Sequence, residues 1–455
     1  MPHGGFLSLD GKHKVNWNGY PVEPVGIVDA SSTFQLEAMC IVSSESTEFY
    51  LWLLEVLLEY ATQEFPMGDP FHFEGKLNFG ESDSADAIGR AACTLSASTG
   101  WTWLNCFMHL IVCNLTRKGA TLHVLLRTDE EREQIKSMLK ALAMYAWVPV
   151  FEFVMEEFLR AVARDNPAFA TGFVNEYYPQ GAAFVTELML ADEEIPETAK
   201  VPDVADPDMF WKGRWCTTYA LPFVPMTQAA IEGKNPDVPR RSTLHKREVV
   251  TSYIPTLTKY LRNEALSMQR QPEKQWQAVP VPENSDWRNA QLLGESFLLQ
   301  CALRAQGTTV VLIPAEHYFN RVCEKLNVDP GSKNVSASGV ANVQRAMAKQ
   351  TSLFRRAVRD PKAALSGKSL VECMKVLSHF YLVEKLDTPV SEYIFYDCSC
   401  PRYRKKCKCK HVLARGVSEG DLKVLAEKSL AILKRKKQRG RPKKPTSAWE
   451  RAAIQ

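Results

Sequence analysis

Between residues 398 and 411 the chain places Cys398-Ser-Cys400, then Cys407, then Cys409-Lys-His411. Ligand-type side chains at that density leave a chain few ways to fold: they surround one ion or they are cross-linked. Alternate residues of an extended strand point the same way, so Cys398 and Cys400 can both face one metal. The basic segment after them can return Cys409 and His411 to the same point. Three thiolates and one imidazole complete the tetrahedral set of structural zinc, with no position left open for catalysis. Cys407 is an extra thiol that could take the place of Cys409. Four of the twelve cysteines fall in this cluster, and the start MPHGGFLSLDGKHK lacks the apolar segment of a secretory signal. Metal is therefore expected rather than disulfides, in a protein that stays inside the cell. Scattered cysteines such as Cys40, Cys93, Cys301 and Cys373 have apolar neighbours and read as buried small hydrophobes.

A chain of 455 residues, 45% hydrophobic and 24% charged, is long enough for at least two packed units and leaves only local disorder. No apolar run reaches the length of about 18 residues that spans a bilayer, so no membrane partner is expected. The formal charge of +4 is unevenly spread. Every charged residue from Pro401 to Arg415 is basic, and eight of the eleven residues from Lys434 to Lys444 are Lys or Arg. Clusters of this kind suit phosphates.

The first half alternates. Phe6 to Val15 and Val22 to Val28 read as strands joined across Asn18-Gly19, a dipeptide suited to a tight hairpin. A third strand is expected from Phe34 to Val42. A helix follows, with Phe49, Trp52, Leu53, Val56, Leu57 and Tyr60 on one face. A short strand before Asp83, a helix from Ser84 to Leu95 and an apolar run from Trp101 to Leu115 continue the pattern, which describes an α/β layer fold of ribonuclease H-like type. Periodicity is helical from Asp129 to Ala163 and from Ser242 to Met268. QRQPEKQWQAVPVPEN reads as a linker and NVDPGSKNVSASG as a flexible loop. Near the end, two strands, Phe380 to Glu384 and Glu392 to Tyr396, lead into the cysteine cluster. A short helix from His411, stopped by Gly416, and another from Asp421 to Lys434 follow.

The form DCSCPRYRKKCKCKHVLA resembles a SWIM-type zinc finger, in which CxC, a spacer and CxH precede a short helix. SWIM modules are associated with DNA or protein contact, and the Lys and Arg residues of the spacer favour nucleic acid here. The tail sequence Arg439-Gly440-Arg441-Pro442, flanked by lysines, resembles an AT-hook. Gly lets the backbone sit deep in a narrow minor groove, Pro fixes an extended path, and the arginines reach the A·T-rich floor. KRKKQRGRPKK would also serve as a nuclear localisation signal. Both readings imply a nuclear protein.

Earlier in the chain, DGKHKVNWNGYPV, SDSADAI, Cys106-Phe-Met-His109 and TQAAIEGKN occur in an order that resembles the Mutator-like (MULE) transposase domain, which a SWIM finger commonly follows. That resemblance implies an α/β, ribonuclease H-like domain over residues 1–240, with a long helical insertion at about 120–225. A mainly helical region at 241–385, a small ββα SWIM finger at 386–420 and a helix with a basic AT-hook tail at 421–455 complete the expected organisation. It also implies that Asp10, Asp83 and Glu232 are catalytic, holding two Mg²⁺ ions about 3.5 to 4 Å apart for DNA strand cleavage and transfer. Asp86 rivals Asp83, and Cys106 with His109 supplies half a zinc site or a packed pair. Family members often carry an N-terminal zinc domain before the first acid. Its absence before Asp10 implies a truncated element or a derived host protein. Three functions stay open at this point: a Mg-dependent transposase or nuclease, an inactive domesticated DNA-binding regulator, and a protein whose SWIM module mainly binds another protein while the basic tail provides only nuclear import. A homo-oligomer also stays open, and A·T-rich duplex is the expected partner.

Overall fold

The computed structural model describes residues 6–9, 16, 18–28, 34–64, 79–82, 86–99, 102–191, 249–304, 310–331 and 335–422, apart from 108, 146, 271–280, 295, 388, 390 and 407. The protein is a mixture of helix and sheet, as the α/β expectation requires at that level. Strands β1 (Phe6–Leu9), β2 (Val22–Val28), β3 (Phe34–Ile41), β4 (Phe79–Ser82) and β5 (Thr102–Asn105) form one sheet in the order β3-β2-β1-β4-β5. The first three strands are antiparallel, whereas β1–β4 and β4–β5 are parallel pairs. Parallel neighbours need a crossover connection, and helices α1 (Thr47–Glu64) and α2 (Asp86–Thr99) lie between them in the chain. Leu53 and Leu54 of α1 and Ile88 and Ala91 of α2 are buried with Leu7, Leu9, Val25 and Trp103 of the sheet in one core. Gly19 has φ +76°, a left-handed value that glycine adopts without strain, and its N–H donates to the Asn16 carbonyl at 3.3 Å.

The apolar run from Trp101 to Leu115 does not stay extended. It divides into β5 and a π-helix, His109–Thr116. Helices α3 (Thr121–Leu125), α4 (Asp129–Leu142), α5 (Val148–Asp165), α6 (Pro167–Tyr177) and α7 (Ala182–Ala191) follow. Thr128 caps α4 by accepting from Glu131 N, and Asn166 caps α6 by accepting from Phe169 N. Phe151, Phe158, Phe169 and Phe173 are wholly buried between these helices.

After α8 (Val250–Arg270) come α9 (Asn284–Gly294), α10 (Phe297–Gln300), α11 (Glu316–Lys325), α12 (Ala337–Arg359), α13 (Pro361–Leu365) and α14 (Leu370–Leu377). A second, antiparallel sheet runs β6 (Leu303–Arg304), β7 (Val311–Pro314), β8 (Phe380–Lys385) and β9 (Tyr396–Cys398). The two strands read near the cysteines are therefore the outer half of a four-stranded sheet, and the second begins at Tyr396, later than expected. Two short helices close the described chain, α15 (Pro401–Lys406) and α16 (Lys410–Ser418). The segment between the ligand pairs is thus partly helical, with Pro401 at the first helical position, where its missing N–H costs nothing. The last helix runs through Gly416 and stops before Gly420, which has φ +79°.

Candidate metal centre

Cys398 ends β9, Cys400 precedes α15, Cys409 caps α16 and His411 lies in its first turn. These four are brought together: their ligand atoms all lie within 4.8 Å of one another. Cys398 Sγ and Cys409 Sγ are 3.7 and 3.8 Å from His411 Nδ1. Bonds of about 2.0–2.3 Å to a tetrahedral centre imply edges of about 3.5–3.8 Å, so the spacing fits a zinc-sized ion. Each ligand is buried: Cys398 and Cys409 are 0% exposed, Cys400 3% and His411 6%. A closed set of this kind could hold a metal ion, and its four ligands would complete a tetrahedral shell. Among the described residues no other group of three or more potential ligands forms.

The backbone around the group supports thiolates. Cys400 N donates to Cys398 Sγ at 3.4 Å, and Tyr403 N donates to Cys400 Sγ at 3.4 Å. Burial pushes the Cys398 and Cys409 thiols well up, while hydrogen bonds from those two hold Cys400 well below the usual thiol range. A divalent ion held by the three sulfurs would favour their thiolate forms. The Tyr381 ring lies 4.9 Å from that of His411, and its hydroxyl is pushed up to about 12 by burial first and then by the nearby Cys400.

The basic spacer is tied into the protein. Arg402 forms an ion pair with Asp286 of α9, and Lys408 reaches Asp286 at 3.8 Å, Glu283 at 3.3 Å and the Val281 carbonyl at 2.8 Å. Arg404 pairs with Asp397 at 2.8 Å and Lys410 with Glu316 at 3.3 Å. Asp286, Glu283 and Glu316, and the seating of α16 against α9, are not legible from sequence spacing, which carries no trace of contacts more than 90 residues apart. Cys398, Cys400 and Cys409 share one core with Trp287 and Leu293 of α9, Phe297, Phe319, Met347 and Phe354.

Asp10, Asp83, Glu232, Cys407, Arg439, Gly440, Arg441 and Pro442 lie outside the described residues. Asp86 opens α2 and is exposed, where an acid suits the positive end of a helix. Cys106 is 2% exposed and follows β5, and its carbonyl accepts from His109 N at 3.1 Å as the π-helix begins. The two are not part of a larger ligand group among the described residues.

No protein-family model matches the chain, and no curated protein matches it. Among the described residues no helix is long and apolar enough to cross a membrane.

Proposed function

We propose that this is a zinc-stabilised, DNA-associated protein derived from a Mutator-like transposase, with residues 386–420 as its SWIM-type finger. The observation that carries the reading is the buried group of Cys398, Cys400, Cys409 and His411, whose spacing suits tetrahedral zinc. Cys398, Cys400 and Cys409 would bind as thiolates and His411 through Nδ1, the nitrogen that faces two of the sulfurs. Zinc there supplies folding energy to a short-stranded, short-helix segment.

The sheet order β3-β2-β1-β4-β5 supports a ribonuclease H-like first domain. Strands β1 and β4 are parallel neighbours in the register Leu7↔Gly80 and Ser8↔Glu81. Asp10 and Asp83 are the next residues in the chain after Leu9 and Ser82, the ends of those strands. With Glu232 they are the residues that would hold Mg²⁺, which would neutralise charge at a scissile phosphodiester.

DNA contact is assigned to the tail, Arg439-Gly440-Arg441-Pro442, rather than to the finger's spacer. Four spacer cations, Arg402, Arg404, Lys408 and Lys410, already have carboxylate partners. The same tail would direct the protein to the nucleus. The test combines metal analysis of the purified chain with binding of A·T-rich and G·C-rich duplexes across a salt series. One zinc per chain and salt-dependent preference for A·T are expected, and absence of both overturns the reading. Nicking of a labelled duplex that requires Mg²⁺ and is lost in Asp10→Asn identifies a nuclease, whereas binding without nicking identifies a domesticated regulator.

A further inference from the structure

Helix α12, Ala337–Arg359, is amphipathic in an unusual sense. Its 23 residues include Arg345, Lys349, Arg355, Arg356 and Arg359 and not one acid. Val343, Met347 and Phe354 are wholly buried in the core that also holds Cys398, Cys400 and Cys409. At about 100° per residue, Arg345, Lys349, Arg356 and Arg359 fall on the opposite side of the helix, within an arc of about 80°. Each of the four is exposed, as are Ser352 between them and Asn342 at the edge of the arc. Arg345 to Arg359 spans about 21 Å of helix, or some six base pairs of duplex at about 3.4 Å per step.

The stripe is not explained by the fold. Arg356 and Arg359 sit in the last turn, where the negative helix end favours a cation, but Arg345 and Lys349 are mid-helix. Arg345 and Lys349 are four residues apart, a like-charge spacing that destabilises a helix by a few tenths of a kcal/mol. Among the described residues no carboxylate pairs with any of the four; Arg345 donates only to Asn342 Oδ1, at 3.3 Å. A polyanion laid along this face would relieve that repulsion.

We infer that this face of α12 is a second DNA-binding surface, one that receives the sugar-phosphate backbone of a duplex and adds sequence-independent affinity to the tail. The inference rests on the DNA-associated reading above. Arginine predominates on the face, and its planar fork suits phosphate oxygens, while Ser352 and Asn342 are of the types that also contact them. A membrane surface fits less well, because the apolar side of the helix is occupied by the core and no large hydrophobic residue of the helix is exposed. The rigid support behind the stripe is the same core that packs round the metal group, so both belong to one body.

The test uses the full chain and a fluorescent duplex, with affinity measured from 50 to 300 mM salt. In the combined variant Arg345→Ala, Lys349→Ala, Arg356→Ala and Arg359→Ala, the slope of log K against log salt should fall by about 3 to 4, close to 0.9 per lost phosphate contact. Affinity at low salt should fall at least about tenfold, with the A·T preference kept and the melting temperature unchanged or raised. A control that removes the same charge elsewhere, Arg117→Ala, Lys118→Ala, Lys259→Ala and Arg262→Ala, should leave the slope near that of the unaltered chain. Equal loss in both variants reduces the stripe to net charge and overturns the inference, as does an unchanged slope in the α12 variant. If the α12 variant alone loses binding to phosphatidylserine vesicles while its duplex binding is intact, the face is a membrane site and the inference is also overturned. Failure of the unaltered chain to bind any duplex overturns the DNA-associated reading as a whole, whereas the outcomes above leave that reading standing.

Discussion

Asp286, 1% exposed on α9, holds the guanidinium of Arg402, the second residue after Cys400, and the same carboxylate lies 3.8 Å from Lys408 beside Cys409. One buried acid thus fixes both ends of the segment that separates the two ligand pairs. Its other tie is local, since Asp286 Oδ2 accepts Glu283 N at 3.0 Å at the start of α9. The charge of the spacer, which by itself looks made for phosphate, in this way becomes a means of seating the metal segment on the rest of the protein.

Asp286→Ala removes both pairings and leaves Lys408, whose side chain is only 10% exposed, beside fewer acids. Breaking a buried pair typically costs about 3–5 kcal/mol; the partly exposed Arg402 lowers the expectation to about 2–3 kcal/mol. The midpoint of urea denaturation measures it. Zinc should also be lost faster to a chelator than in the unaltered chain, while Glu316→Ala, which removes only the exposed Lys410 pair, should change either quantity little.

Gly80 on β4 lies against the indole of Trp103 on β5, a ring that is 1% exposed. A Cβ at position 80 would overlap that ring. Gly80→Ala should therefore push β4 and β5 apart and cost about 1–3 kcal/mol, the usual range for overfilling a packed core. Trp103→Leu should relieve the clash, so that the double variant is more stable than the sum of the single effects. Denaturation midpoints of the three variants give the coupling directly.

Much of this architecture is legible in the sequence, for reasons that differ by element. Val22 to Val28 and Phe34 to Ile41 are continuous and bounded by turn residues, and their strands fall close to where the pattern puts them. The metal group is legible because its four ligands lie within fourteen residues and ligand chemistry tolerates few substitutes. β6 and β7 are not, since Leu303–Arg304 is only two residues long and VLIP shows no alternation. The helix in the spacer was obscured by its own charge: PRYRKK has Pro at the first helical position, yet a run of cations reads as a solvated loop. What holds those cations, Asp286 above all, is 116 residues from Arg402 in the chain, beyond any local pattern.

His379 is 5% exposed, stacks on Tyr318 with ring centroids 4.1 Å apart, and has no hydrogen-bond partner at Nδ1. Burial first, then the nearby His317, Lys375 and Arg321, lower its pKa from 6.5 to about 4. The fold therefore favours the neutral ring. Above about pH 6.5 this contribution is fully present; as pH falls the unfolded chain takes up a proton that the folded chain refuses, and the contribution is lost progressively down to about pH 4. The loss should be about 3 kcal/mol at most. His379→Phe keeps the stacking, removes the unsatisfied nitrogen and should flatten stability against pH across that interval; an unaltered slope would place the titration elsewhere.

The choice between Cys407 and Cys409 as the third thiolate can be settled by substitution. Cys409 is wholly buried, its Sγ is 3.8 Å from His411 Nδ1, and it stands at the N-cap of α16, where the positive helix end favours a thiolate. Its position is also coupled to that of His411 two residues on, so that one helix terminus delivers two ligands at once. Cys409→Ser should then abolish stoichiometric zinc and lower the melting temperature, because the metal's binding energy is part of the folding energy of the body that its ligands share. Cys407→Ser should keep one zinc per chain and the unaltered melting temperature. Metal analysis by mass spectrometry and circular dichroism on the two full-length variants gives both quantities. Retention of zinc by Cys409→Ser with loss in Cys407→Ser would move the ligand to position 407, and equal partial loss in both would mean that the two thiols share the ion.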